Sequence, residues 1–340
     1  MKTWTAVAAV WIGLAGPASA EPGFPGVPGE TLVPGDAAWG VVFDAGVVRD
    51  SAVAGEVMAQ FDEGQRAVLN ERLDGVSNML GLNLRRDLGR VVAYGRGFGP
   101  GDIGVVVEID DADTNLEGLL LADANYDSYE YGGLIVHSVL GQQPERMRVF
   151  CAVVPRGEAN PLAAGDGLGE EKFPGGVVVM SPSKEEAERL VDAARGGARA
   201  ASADALGRGE FLRMWVDRLP GDFFAGQPRQ SNIARMIESL EMVGTAGAAD
   251  LSLSLHFDTV SVARADQLED IAAGGKAMIE FAAAENEDAA RLADLLSFVS
   301  ISRPAGESRV TLRAVCRTRD VQALFDLLDE AGALDGLKLD

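Results

Sequence analysis

The sequence predicts an α+β protein of two related halves, each a mainly antiparallel β-sheet with helices packed on one face. Three observations lead to this prediction. Apolar and polar residues alternate in many short segments, as in strands that bury one face. Leu-rich segments with helical spacing follow several of these strands. A strand–turn–strand–helix order over residues 91–121 recurs over residues 298–329, which indicates an internal repeat or a chance likeness of two amphipathic units.

The first copy of this repeat contains its own helix-start signal. Apolar side chains alternate over residues 103–109, so one face of that strand is apolar. Thr114 and Glu117 have the Thr-x-x-Glu spacing of a capping box, in which the two side chains bond free backbone N–H groups at a helix start. We therefore expect a short helix after the hairpin, with its leucines on one face.

The remaining elements follow from periodicity and from Gly and Pro positions. We expect strands at 39–43, 91–94, 134–140, 148–154, 177–180, 211–216, 251–257, 298–302 and 310–316. We expect helices within 51–80, after Ser181, over 233–240, and over 267–278 and 287–296 with a break at Gly274-Gly275. Residues 123–130 are polar and predict a loop.

Residues 1–20 have the pattern of a secretory signal peptide. Lys2 provides the positive start, Trp4–Leu14 is apolar, and Ala18-Ser19-Ala20 is a small-residue cleavage motif before Glu21. The apolar run is too short to span a bilayer, which takes about 20 residues. We therefore expect an exported protein, periplasmic or secreted, without a membrane span after cleavage.

Composition divides the mature chain into three parts. Residues 21–35 are rich in Pro and Gly and predict an irregular entry segment. The first α+β half is expected over 36–197 and the second over 210–340, separated by a stretch rich in Ala, Ser, Gly and Arg. The sequence does not indicate whether the two halves share one sheet.

The charge of the chain limits its partners. Asp and Glu number 52 against 30 Lys and Arg, for a formal net charge of -22. Such a field repels nucleic acid and anionic lipid head groups, and it is compatible with cation binding. We therefore expect no nucleic-acid partner, and an envelope protein or a ligand as the partner instead.

The two cysteines leave two interpretations open. Cys151 and Cys316 both fall in expected strands, one in each half. Export permits a disulfide that ties the halves together, whereas two buried free thiols would act as small apolar side chains. Their wide separation lacks the clustered spacing of a zinc site or a redox motif.

No catalytic residue is predicted. Ser254, His256 and Asp258 share one face of a strand and are the residue types of a hydrolase triad. Residues two apart on a strand are displaced by about 6.6 Å, beyond the hydrogen-bond reach that a nucleophile and its base require. A polar solvent-facing strand surface is the better interpretation, and His137, the other histidine, is expected in the core.

Calcium is the one cofactor for which residues can be named. Asp123, Asn125 and Asp127 have the Asp-x-Asn-x-Asp spacing of calcium loops, although the glycine that usually follows is missing. Asp and Asn are also ordinary turn residues, so a turn without metal is the alternative. No other cofactor is expected.

The mature start resembles that of a class of exported bacterial proteins of unknown function. Leu32-Val33-Pro34-Gly35-Asp36 is similar to their Leu-Pro-x-Asp element, with Val33 inserted between the Leu and the Pro, and the apolar strand at 39–43 follows as it does in that class. The resemblance implies an exported protein in which strands alternate with short Leu-rich helices. It transfers no site residue, because the class has no known site.

These observations favour a non-catalytic exported protein that binds a partner or ligand in the cell envelope. The first alternative is a carboxylate-based hydrolase of the glycosidase type, since paired acids need no histidine and show no fixed sequence spacing. The second alternative is a calcium-dependent adhesion module.

Overall fold

The computed structural model describes residues 33–61 without 35, 83–109, 125–140, 147–155, 176–195, 206–217 without 208, and 232–323, with scattered residues between 64 and 74. The predicted signal peptide, most of the entry segment and the helix expected at Thr114 lie outside the described residues. The strands are β1 Trp39–Asp44, β2 Leu88–Gly95, β3 Ile103–Ile109, β4 Asp127–Tyr131, β5 Leu134–Leu140, β6 Arg148–Pro155, β7 Gly176–Ser181, β8 Glu210–Val216, β9 Ile237–Ala246, β10 Asp250–Thr259, β11 Val299–Ser302 and β12 Arg309–Arg317.

Helices with defined bounds occur at six places in the described residues. They are α1 Ala45–Arg49, α2 Ala52–Gln60, α3 Leu84–Asp87, α4 Lys184–Arg195, α5 Val262–Ala282 and α6 Glu287–Ser297. Two single 3-10 turns, Pro100–Asp102 and Thr318–Asp320, precede or follow strands.

The predicted fold class is wrong. The twelve strands belong to one sheet, in the order β11-β12-β10-β9-β8-β1-β2-β3-β7-β6-β5-β4, whereas a mainly antiparallel sheet with helices packed on one face was expected in each of two halves. The strand pairs with a defined register are antiparallel, and the described helices are few and mostly short, so the protein is mainly β. Alternation identifies a strand but does not say where a sheet ends, and an unpaired strand edge is itself able to pair with a further strand.

Two compact units divide the described chain, one with residues 33–50 and the described part of 67–207, the other with residues 51–66 and 209–323. We call them the first unit and the second unit. In the first unit, cross-strand pairing places Val42, Val92, Val106 and Val179 in one row, and all four are fully buried. Helix α4 contacts β6 and β7 and adds the fully buried Leu190. This face of the sheet is therefore a closed apolar core.

In the second unit, helix α5 covers part of the sheet. Ala265 and Leu268 lie on one face of the helix and pack with Met236 and with Val310 of β12. Phe257 of β10 joins the same cluster from the neighbouring strand. One face of α5 therefore supplies the core of this unit.

Most of the expected strands are present, and β3 and β5 have the predicted bounds. The helix expected over 233–240 is wrong, because Ile237 starts β9, which pairs with both β8 and β10. The loop expected over 123–130 is also wrong in its second part, where β4 forms. Helix α5 passes through Gly274-Gly275 without a break, since the packing of its buried face outweighs the low helix propensity of glycine.

Candidate functional site

Helix α5 has a clear physical start. The Ser261 side chain accepts a hydrogen bond from the Arg264 backbone N–H at 3.3 Å and so caps the first turn. The side of the helix with Ala265 and Leu268 then faces the core. The helix continues for 21 residues, so its opposite side presents a long surface.

That opposite side exposes large apolar side chains. Ile271 is 48% exposed, Met278 is 74% exposed and Phe281 is 82% exposed. Their spacing of seven and three residues places them on one side of an α-helix. We call Ile271, Met278 and Phe281 the apolar stripe. Single exposed apolar residues are common on protein surfaces, whereas an aligned set of them is typical of an interaction site.

Acidic residues surround the apolar stripe. Asp270, Glu280, Glu285 and Glu287 are exposed on α5, on the turn after it and at the start of α6. The Lys276 ammonium group donates a hydrogen bond to the Val299 carbonyl oxygen at 3.0 Å, so this cation is directed to the edge of the sheet. The stripe therefore combines an apolar centre with a negative rim.

The apolar stripe was not predicted from the sequence. The sequence of α5 does contain a pattern that indicates it. Apolar residues lie on both sides of the helix, whereas a helix with one buried face needs them on one side only. The expected break at Gly274-Gly275 hid it by dividing the helix into two shorter segments.

A buried polar network lies in the first unit. Tyr94 is fully buried, and its hydroxyl group contacts both the Glu186 carboxylate and the Arg189 guanidinium group. Arg189 Nε lies 3.0 and 3.1 Å from the two carboxylate oxygens of Glu186, and Arg96 donates to Glu186 Oε2 at 3.0 Å. A second bond of Arg96, 3.1 Å long, reaches Asp36 near the surface.

The ionisation of this network follows from these contacts. Burial opposes the charge of Glu186, but hydrogen bonds from Arg189 and Tyr94 outweigh it and lower the pKa of Glu186. Burial and the Glu186 carboxylate raise the pKa of Tyr94. The network therefore holds an ionised acid on the buried side of α4 next to a neutral phenol. Tyr94 and Glu186 are closed to solvent, so the network belongs to the core of the first unit.

The polar side chains of β10 bond across the sheet. Asp258 accepts hydrogen bonds from Arg309 and from Ser239, and His256 Nδ1 lies 2.9 Å from Thr311 Oγ1. Burial and the positive charge of Arg309 lower the pKa of His256. These partners belong to the neighbouring strands β9 and β12, and the side chains of His256 and Asp258 are half-buried between them.

The predicted calcium residues are only partly described. Asp123 lies outside the described residues. Asn125 lies in a turn, and Asp127 starts β4, where its carboxylate accepts a hydrogen bond from the Ser128 backbone N–H at 2.9 Å. Across the described part of the chain, no group of three or more His, Cys, Asp or Glu residues is arranged to hold a metal ion. Calcium binding at 123–127 stays a prediction.

The cysteines are free thiols in the structure. Cys151 is buried in β6, and Cys316 lies half-buried in β12. Burial raises the pKa of Cys151 to about 11, so this thiol is protonated at neutral pH. Of the two interpretations left open above, the structure has the free thiols.

The helices in the described residues give no membrane span, because none of them combines the necessary length with sufficient apolar character.

No protein-family model matches the sequence, and no curated protein is similar to it. Solved structures of TP0453 are similar in chain path. Crystal form III aligns with a TM-score of 0.40 at 8% identity over 94% of this chain and 97% of that one. Crystal form IV gives 0.42 at 9% over 88% and 97%, and crystal form I gives 0.37 at 8% over 89% and 98%. Similarity at this level carries no inference about function.

Proposed function

We propose that the protein is exported and acts as a non-catalytic binding protein of the cell envelope, with the apolar stripe of α5 as its contact surface. The observation that carries this proposal is the exposure of Met278 and Phe281 on the same side of one helix. The signal-peptide pattern of residues 1–20 supports export.

Burial of the apolar stripe by a partner is favourable in free energy. Full burial of a Met or Phe side chain stabilises by about 1.5–3 kcal/mol relative to exposure. An aromatic residue and a methionine are also among the residue types enriched at protein interfaces. The stripe therefore offers a partner several kcal/mol of favourable contact before the entropic cost of association is subtracted.

The charges around the apolar stripe select the chemistry of the partner. The acidic rim and the net charge of -22 disfavour an anionic lipid surface and attract a basic one. We assign the stripe to a protein partner that presents apolar side chains flanked by Lys or Arg. Complementary charge of this kind accelerates encounter and orients the partner.

Photo-crosslinking tests this assignment. A photoreactive residue at position 281 is expected to give a specific adduct in the cell envelope, and the adduct peptide should contain apolar residues flanked by Lys or Arg. The matched control carries the same photoreactive residue in place of Phe98, which is 48% exposed in the first unit. Absence of an adduct at 281, or identical adducts at both positions, would contradict the proposal.

The affinity for the identified partner then gives a quantitative check. Met278→Ser with Phe281→Ser should weaken binding by about 100-fold, since two apolar contacts are removed. Phe98→Ser should leave the affinity unchanged. Higher salt should slow association through screening of the acidic rim.

The mass of the exported protein should correspond to a chain that begins at Glu21, and retention of residues 1–20 would contradict signal cleavage.

A further inference from the structure

The register of three neighbouring strands aligns three residues with soft or borderline metal-binding groups. His137 of β5 pairs with Cys151 of β6, and Cys151 pairs with Met180 of β7. Residues directly opposite in an antiparallel sheet point to the same face. The imidazole, the thiol and the thioether therefore form one row on one face of the first unit.

The row has apolar surroundings. His137 is 6% exposed and Cys151 is 7% exposed. The next residues of the same face along β6 and β7 are Val153 and Val178, which pack together in one apolar cluster with Met180. A charged ligand set would be costly in this environment, whereas neutral sulfur and nitrogen groups are not.

The dimensions of the sheet permit convergence on one atom. Cβ atoms of directly opposite residues are about 4.5–5.5 Å apart, so His137 and Met180 flank Cys151 at about one strand spacing on either side. Bonds from nitrogen and sulfur to first-row metals are about 2.0–2.3 Å long. We therefore expect the longer histidine and methionine side chains to reach a metal above Cys151 Sγ after rotamer adjustment.

A hydrogen bond is already present at the histidine. Tyr126 Oη lies 3.0 Å from His137 Nδ1. When Nδ1 carries the proton and donates it to this hydroxyl oxygen, the lone pair of the ring is on Nε2. Such a second hydrogen bond commonly orients metal-binding histidines.

We propose that His137, Cys151 and Met180 bind one Cu(I) ion. Thiolate and thioether ligands select Cu(I), and imidazole also suits copper, whereas calcium and magnesium require oxygen ligands. On binding, the Cys151 thiol releases its proton to water and a sulfur–copper bond forms. The Cu(I) ion replaces the thiol proton, so the occupied site remains neutral overall in its apolar surroundings.

The direct test is a Cu(I) competition titration on the full mature chain, without oxygen and with a chromophoric Cu(I) chelator. We expect one equivalent of Cu(I) to be withdrawn from the chelator. Cys151→Ser should abolish this binding, and Cys316→Ser is the matched control that should retain it. Failure of the unmodified protein to compete, or equal binding by Cys151→Ser, would overturn the proposal.

Met180→Leu keeps the apolar volume, so it tests the thioether without a large change in packing. We expect it to weaken Cu(I) binding by about tenfold or more, since loss of a ligand should cost at least as much as loss of an outer hydrogen-bond partner of a ligand. His137→Gln should weaken binding similarly, and urea midpoints confirm that each variant is folded. Unchanged affinity in both variants, or tighter binding of Zn(II) than of Cu(I), would contradict the assigned site.

Discussion

Asp258 and Arg309 lie opposite each other on β10 and β12, and two hydrogen bonds of 2.7 Å connect them. Arg309 Nε donates to Oδ1 and Nη2 donates to Oδ2, so the guanidinium group engages both carboxylate oxygens. Hydrogen bonding from Arg309 lowers the pKa of Asp258 despite partial burial. The pair favours the observed register, because a slip by one residue would move one partner to the other face.

The first prediction concerns the geometry of this pair. Arg309→Lys keeps the charge but cannot donate two parallel hydrogen bonds, so it should lower the free energy of unfolding by about 1 kcal/mol. The expected loss in the free energy of unfolding is modest because the Arg309 side chain is 42% exposed. Urea denaturation measures the change. Arg313→Lys on the same strand is the control, and an equal loss there would contradict a special role for the two parallel bonds.

The second prediction concerns Glu186. Glu186→Gln leaves Arg189 and Arg96 without their shared carboxylate, so stability at pH 7 should fall by about 2 kcal/mol. The loss is smaller than for a fully buried pair because both arginines are partly hydrated. Glu185→Gln, at an exposed position of the same helix, should have a much smaller effect in urea denaturation.

The pH dependence of that effect follows from the pKa shift. The folded-state pKa of Glu186 lies below its ordinary value of 4.5. The stabilisation is therefore present above about pH 4.5 and is lost as the pH falls through the lower folded-state pKa. The stability difference between the unmodified protein and Glu186→Gln should shrink between pH 7 and pH 3. A difference that is constant with pH would show that the carboxylate charge is not responsible.

The third prediction concerns close packing at Tyr94. A Cβ atom at Gly104 would meet the Tyr94 ring and hydroxyl, and Glu186 and Arg189 hold that ring in place. Gly104→Ala should therefore destabilise by about 1–3 kcal/mol in urea or thermal denaturation. At Gly101 an added Cβ meets nothing within 4 Å, so Gly101→Ala is the matched control. Equal stability of the two variants would show that Tyr94 moves aside at little cost.

Local pattern was sufficient for many elements of this fold. Alternation predicted β3 with the bounds that it has, because side chains in a strand repeat every two residues, and a run that is apolar on both faces predicted β5. The order of strands in the sheet was beyond local pattern. Pairing depends on edges that meet in three dimensions, which explains why the sequence left open whether the two halves share the one sheet of twelve strands that forms.

Contacts between the site residues were also beyond local sequence pattern. Tyr94 and Glu186 are 92 positions apart, and no spacing rule relates them. The alignment of His137, Cys151 and Met180 also depends on strand register, which the sequence leaves open. The apolar stripe was readable in principle, because Met278 and Phe281 lie within a helical pattern. It was lost because the two glycines were interpreted as a helix end.

The fourth prediction tests that interpretation of α5. Gly274 and Gly275 lie inside the helix, and an added Cβ at either position meets nothing within 4 Å. Gly274→Ala should stabilise the second unit by about 0.5–1 kcal/mol, since alanine has the higher helix propensity and restricts the unfolded chain. Gly274→Pro should destabilise by about 3 kcal/mol, because proline removes a backbone hydrogen bond in the helix interior. Thermal denaturation of both variants measures the effect. A helix that ended at these glycines would tolerate the proline, and in that case Ile271 and Phe281 would no longer share one continuous surface.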